Sequence, residues 1–349
     1  MLKTFHREKT DRVSIGYEAN ETVHRRLASA LGIAANDYEG VLIALGVDYR
    51  SVGAPYTGPA LFPARQDRRC DALDGFYTKW VENKDGGYWD FCDFPLEGAS
   101  DEKIASYPVP NPDHFDYDAI AQQLTRCGDY AVHIGGAGIP DVINSMGRIM
   151  SMEDILCNLI TEDPATMTLL NRRMAMYLSV QERILDKYKG KIDFLWMGED
   201  LGTQHAPMIS LELYRKVLKP IHKQFIDLAS GYNLPVMVHS CGCASWVYED
   251  FIEMGVSGVD SLQPEAENMS PSYLKSKFGD RLSFRGLIST AGPLAYGSAE
   301  DTRQDCKNTL DIMMKGGGYH FAPSHAIQDN TPVENIVAMY QAAHDFGRY

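Results

Sequence analysis

The sequence predicts an α/β protein, a (β/α)8 TIM-type barrel with an N-terminal β-hairpin insertion. Three observations carry this. From about residue 190, strand–loop–helix recurs five times at roughly 25–40 residues per unit, the pattern of parallel βα units. The strands are short apolar runs that end abruptly in polar residues. At 349 residues the chain accommodates one barrel, which needs about 250, together with insertions. With no internal repeat and no low-complexity linker, a single domain spanning residues 1–349 is expected.

Taken in order, Leu42-Ile43-Ala44-Leu45 reads as a strand. An insertion over about residues 74–95 follows, where Gly75 to Val81 and Tyr88 to Phe91 flank Asn83-Lys84-Asp85-Gly86-Gly87. Aromatic strands around a Gly-rich turn are a hairpin signal. Tyr130 to Ile134 is the next strand, and Gly135-Gly136-Ala137-Gly138 after it is either a flexible turn or a close approach of backbone to a ligand. Asp154 to Tyr188 reads as helix, broken near Asp163-Pro164, where proline suits a new helix start.

The regular half begins with a strand at Phe194-Leu195-Trp196-Met197 and a helix N-capped by Ser210, with Glu212 in its first turn. Pro235 to His239 is a strand with Ser245 to Met254 as its helix; Gly258 to Leu262 precedes a helix starting at Ser270-Pro271. Leu282 to Leu287 and Tyr319 to Ala322 are the last two strands. Gly316-Gly317-Gly318 precedes a strand and so reads as a helix terminator. After Thr331-Pro332, Ile336, Val337, Met339 and Tyr340 recur at near-helical spacing.

Charge narrows the function. Thirty-three basic against 47 acidic residues leave a net charge of −14, unsuited to nucleic acid or an anionic membrane surface. No apolar run approaches the roughly 18 residues that span a bilayer. The opening Met1-Leu2-Lys3-Thr4-Phe5-His6-Arg7-Glu8-Lys9 is too charged for a signal peptide, and a cytoplasmic protein is expected. Seven cysteines without regular spacing suit a reducing compartment, and Cys157 reads as a helix-core residue.

The chemistry concentrates at Val236-Met237-Val238-His239-Ser240-Cys241-Gly242-Cys243. Residues i and i+2 of a strand point to one side, so His239 and Cys241 can converge on one metal ion. In a βα barrel the site lies at the C-terminal strand ends. There the chain also delivers Glu199-Asp200, Gln263-Pro264-Glu265, Ser289-Thr290 and Ser324-His325. Glu199, His239, Cys241 and His325 could make a tetrahedral zinc site in which the carboxylate yields its place to substrate. Each has a blander alternative: Glu199 or Asp200 capping the next helix, His325 as a metal-free hydrogen-bonding residue, Cys243 as packing. His222 and His344 read as surface or packing residues, and Met146, Met150 and Met152 as core rather than pocket lining. No Walker loop and no Gly-x-Ser-x-Gly elbow occurs.

These strand-end segments resemble the uroporphyrinogen decarboxylase superfamily, which includes decarboxylases and zinc-dependent methyltransferases that exchange methyl groups with corrinoid proteins. The resemblance covers most of the chain. Arg7-Glu8-Lys9-Thr10-Asp11-Arg12-Val13 resembles the lead-in to the opening strand. Ser324-His325-Ala326-Ile327-Gln328-Asp329-Asn330-Thr331-Pro332-Val333-Glu334-Asn335 resembles the closing strand–loop–helix and is the more specific match.

Decarboxylases open with an Arg-Gln-Ala-Gly-Arg motif that grips substrate carboxylates, whereas Val13 to Glu21 here contains no arginine. A porphyrinogen with eight carboxylates needs a cationic pocket, so the methyltransferase branch fits better. His239 and Cys241 match the His-x-Cys of that branch; the later cysteine is replaced by His325, as in the decarboxylases. An imidazole in place of a thiolate leaves zinc a stronger Lewis acid, suited to polarising a substrate oxygen or nitrogen.

The resemblance therefore implies a zinc-dependent methyltransferase with metal on His239, Cys241, His325 and Glu199, and with Asp200 and Gln204 as orienting groups. A methyl group would move between a small molecule, such as a methoxylated compound, and cobalamin on a separate corrinoid protein. The partner is separate because no corrinoid-binding Asp-x-His-x-x-Gly sequence occurs here. The Trp80–Trp89 hairpin lines the pocket or forms the interface of a homodimer. Two rival readings are a metal-free lyase of the same superfamily and a non-enzymatic corrinoid or tetrapyrrole carrier.

Overall fold

Among the residues described by the computed structural model, all but Asp85, there are eleven strands. They are β1 (Ser14–Ile15), β2 (Tyr49–Ser51), β3 (Arg69–Cys70), β4 (Tyr77–Asn83), β5 (Gly86–Cys92), β6 (Ala131–Pro140), β7 (Phe194–Gly198), β8 (Val236–His239), β9 (Gly258–Leu262), β10 (Ser283–Ile288) and β11 (Tyr319–Pro323). Eight form one sheet in the order β1-β11-β10-β9-β8-β7-β6-β2. The β1–β11, β11–β10, β10–β9, β9–β8 and β7–β6 ladders are parallel, and helices occupy the crossovers. This is the α/β, TIM-barrel-like fold that the βα periodicity predicts.

The remaining three strands form the insertion. Strands β4 and β5 pair antiparallel with Trp80 opposite Trp89, their rings 5.6 Å apart, and β3 adds a third strand to the expected hairpin. The turn expected at Asn83 to Gly87 contains Asp85, which lies outside the described residues.

The chain gathers into two units. One comprises Met1–Tyr49, Leu201–Met208 and Met237–Tyr349. Its strands β9 to β11 are buried along their whole length, with Val259, Leu262, Phe284, Ile288 and Phe321 forming the apolar core. Its helices start where short polar side chains satisfy free backbone N–H groups. Ser270 caps the Pro271–Phe278 helix, and Ser298 with Asp301 forms a capping box on Ala299–Met313. The three glycines at 316–318 all have positive φ beyond that helix and end it as expected.

The other unit comprises Arg50–Asp200 and Ile209–Val236. The helical stretch breaks where expected, into Met152–Thr161 and Pro164–Lys187, the second capped by Asp163, which accepts from the Thr166 N–H at 2.8 Å. Glycine is needed on β6: a Cβ at Gly135, whose φ is +77°, would lie 2.1 Å from the Trp196 carbonyl oxygen. The run of small residues thus belongs to the strand itself, which continues to Pro140.

Two expectations are corrected. Leu42 to Leu45 lies in a helix, Tyr38–Leu45, instead of a strand. Four apolar residues carry no readable period, and the flanks decide: Asp37 accepts from the Gly40 N–H at 2.8 Å, and Gly46 closes the helix at φ 74°. Cys157 is exposed, because Ile155 and Leu159 take the inward positions of its helix. Of the methionines read as core, Met146 and Met150 are buried and Met152 is exposed. Among the described residues no helix is long and apolar enough to cross a membrane.

A candidate metal centre at the strand ends

Strand β8 ends at His239, and the chain turns through Ser240 and Cys241 to Gly242. Only glycine suits position 242, where φ is +70° and a Cβ would lie 2.3 Å from the Gly202 carbonyl oxygen. The turn is held at three points. The Ser240 hydroxyl accepts from the Leu201 N–H at 3.1 Å, the Gly242 N–H donates to Gln263 Oε1 at 2.7 Å, and the Cys243 N–H donates to the Thr203 carbonyl at 2.8 Å.

His239 and Cys241 converge as the i, i+2 rule predicts: Nε2 and Sγ are 3.4 Å apart. Zinc–nitrogen and zinc–sulfur bonds of about 2.0 and 2.3 Å at a tetrahedral angle would separate two donors by about 3.5 Å. One nitrogen and one sulfur donor suit zinc. Asp200 directly precedes Leu201, whose N–H the Ser240 hydroxyl accepts. Asp200 Oδ2 accepts from Asn144 Nδ2 at 2.8 Å.

Behind the pair lies a buried polar chain. Asp260 Oδ2 is 2.9 Å from His239 Nδ1. Asp260 Oδ1 accepts from Arg285 Nη1, whose Nε donates to the Tyr49 hydroxyl at 2.8 Å. Asp260 is fully buried and Arg285 is 1% exposed. Burial alone would push the Asp260 carboxyl up, but Arg285 and His239 outweigh it and bring it to about 2. The ionised carboxylate can only accept, so Nδ1 carries a proton and Nε2 is the ring atom that faces Cys241. Burial disfavours charge on the His239 ring too, yet Asp260 and Cys241 hold it well above the usual histidine value. Ser261 donates its hydroxyl to the Ser324 carbonyl at 2.7 Å and lies 3.3 Å from Cys241 Sγ.

The other expected residues fall elsewhere. Glu199 is fully buried and accepts from the Val142 N–H at 2.8 Å and the Ile143 N–H at 2.9 Å, at the start of the helix Val142–Met150. His222 Nε2 adds a third contact at 3.0 Å and its Nδ1 faces the Tyr214 hydroxyl at 3.3 Å. His325 is exposed, its Nδ1 against the Ala326 carbonyl at 3.2 Å and Gln328 Nε2 at 3.3 Å. Gln204 is exposed and donates to Gln263 Oε1 at 3.3 Å. Cys243 is buried, as packing predicts, and His344 is exposed. The sequence reading passed over Asp260 and Arg285, although a charged residue inside an apolar strand was their visible signal.

Fold and strand ends together define a TIM-barrel-like α/β protein that sets a nitrogen and a sulfur donor side by side at the end of a strand. The family model for uroporphyrinogen decarboxylase (URO-D) matches residues 128–346, and the chain belongs to that family. A uroporphyrinogen decarboxylase of Methylococcus capsulatus is 26% identical over 264 residues, 72% of this chain and 70% of that one. The methylcobamide:CoM methyltransferase MtaA of Methanosarcina barkeri is 25% identical over 139 residues, 40% of this chain and 38% of that one. A solved methyltransferase from Methanosarcina mazei shares the fold with a TM-score of 0.65 and 16% identity, over 99% of this chain and 97% of that one.

Proposed function

We propose that the protein is a zinc-dependent methyltransferase that moves a methyl group between a small molecule and cobalamin on a separate corrinoid protein. The observation that carries this reading is the 3.4 Å separation of His239 Nε2 and Cys241 Sγ, with Asp260 behind the imidazole. We assign the donor set to His239, Cys241 and Asp200, so that Asp200 takes the place first expected of Glu199. His325 is left at the exposed loop as a substrate-contacting residue. Zinc there would supply Lewis acidity toward an oxygen, nitrogen or sulfur atom at the methyl-bearing centre.

The chain's own residues do the rest. Asp260 fixes the imidazole tautomer and its orientation, the arrangement usual for metal-binding histidines. Asn144 holds one oxygen of Asp200 and so orients its carboxylate. Gln263 ties the Gly242 turn to Gln204 and so steadies the loop that carries Cys241.

Metal analysis and a methylcobalamin absorbance assay test this reading together. Purified protein should hold about one equivalent of zinc, and His239→Ala should lose both metal and methyl transfer. A second reading is a metal-free lyase, favoured by the decarboxylase match over 72% of the chain against 40% for the methyltransferase. Turnover of a carboxylated substrate by zinc-free protein, undiminished in Cys241→Ser, would establish it instead.

A further inference from the structure

The helix Pro164–Lys187 presents Met176, Tyr177, Val180, Gln181 and Ile184 at helical spacing to a cavity of about 330 Å³, walled on its far side by Ile134 and Ile139 of β6. Gln181 is out of place there. It is 4% exposed, and among the described residues neither its amide oxygen nor its amide nitrogen has a hydrogen-bond partner. An unpaired buried amide costs free energy that an apolar residue of the same size would not.

Two other polar side chains of the wall, Gln123 and Tyr177, are engaged. Gln123 exchanges two hydrogen bonds with the Gly53 backbone, at 3.0 and 2.8 Å, and the Tyr177 hydroxyl donates to Asp74 Oδ1 at 2.6 Å. No lining residue is an acid, a lysine, an arginine or a histidine, so a charged ligand would be poorly compensated. We propose that this cavity binds a small, uncharged, largely apolar molecule with a hydrogen-bond donor and acceptor side by side, a lactam or a primary amide. Its N–H donates to Gln181 Oε1 while its carbonyl accepts from Gln181 Nε2, the mutual pairing that Gln123 already makes with Gly53. The apolar body lies against Phe115, Met176 and Ile184, as in small-molecule sites generally. The cavity shares no residue with the His239–Cys241–Asp200 group, so this proposal stands apart from the metal reading.

The test uses 2-quinolinone and its N-methyl derivative, which keeps shape and acceptor but lacks the donor. Binding is followed through the labelled methyl signals of Met176, Ile134 and Ile184 in the full chain. The parent compound should shift these signals, and the N-methyl compound should bind at least about tenfold more weakly. Gln181→Leu should weaken the parent to a similar degree without lowering the melting temperature. Equal affinity for the two compounds, undiminished binding in Gln181→Leu, or no methyl shift with the parent would each overturn the proposal. The two-compound comparison uses the unaltered protein and decides the matter even if the variant does not fold.

Discussion

Asp260 Oδ2 and His239 Nδ1 sit 2.9 Å apart in a buried environment, and this contact leaves Nε2 as the imidazole atom facing Cys241. A metal-binding histidine whose other nitrogen is held by a carboxylate keeps its tautomer and ring orientation. Asp260→Asn keeps the shape and loses that constraint. Zinc affinity, measured by competition with a chromophoric chelator, should fall about 10–100-fold. An unchanged affinity would remove Asp260 from the metal reading.

Arg285 is the counter-ion that lets Asp260 stay ionised without water. Arg285→Met strands a buried carboxylate and should cost about 3–5 kcal/mol of stability. The double variant Arg285→Met with Asp260→Leu removes both charges and should recover most of that loss while still failing to orient His239. Denaturation midpoints of the two proteins check this, and equal midpoints would show that the pair is not coupled.

Glu199 separates two roles that its sequence position left open. Both its oxygens already accept backbone N–H groups at the start of the Val142–Met150 helix, and His222 contacts one of them. Glu199→Gln should therefore lower stability by about 1–3 kcal/mol while zinc content remains that of the unaltered protein. Loss of zinc from a variant that stays folded would return Glu199 to the donor set.

Lys275 is a source of pH dependence away from the site. Burial, with Arg7 nearby, lowers its ammonium from the usual 10.5 to about 8. Between those values the unfolded chain holds the proton more tightly than the folded one, so this group makes stability rise with pH across that window. Below about pH 8 its destabilising contribution is fully present. Lys275→Met, which also gives up the 2.6 Å bond to the Gly317 carbonyl, should flatten the slope of stability against pH from 8 to 10.5 relative to the unaltered protein. A parallel slope in the two proteins would refute it.

Much of the fold was legible because the signals were local. The strands near Phe194, His239, Gly258, Leu282 and Tyr319 were readable from apolar runs closed by polar residues, and Ser210, Ser270 and Asp163 marked helix starts by their cap chemistry. Leu42 to Leu45 misled because four apolar residues have no period of their own. Cys157 misled because the burial habit of a residue type says nothing about which helix face it occupies.

The His239–Cys241 pair followed from the sequence alone, since a strand puts i and i+2 on one side whatever surrounds it. Its partners did not. Glu199 and Asp200 are adjacent and both acidic, and only three-dimensional placement sets the first at a helix start and the second against Asn144. Asp260 and Arg285 lie 21 and 46 positions beyond His239, and no pattern along the chain pairs them with it. Backbone geometry acts between chain neighbours and is written in the sequence; ligand sets and buried ion pairs depend on side chains that meet only when separate strands lie side by side.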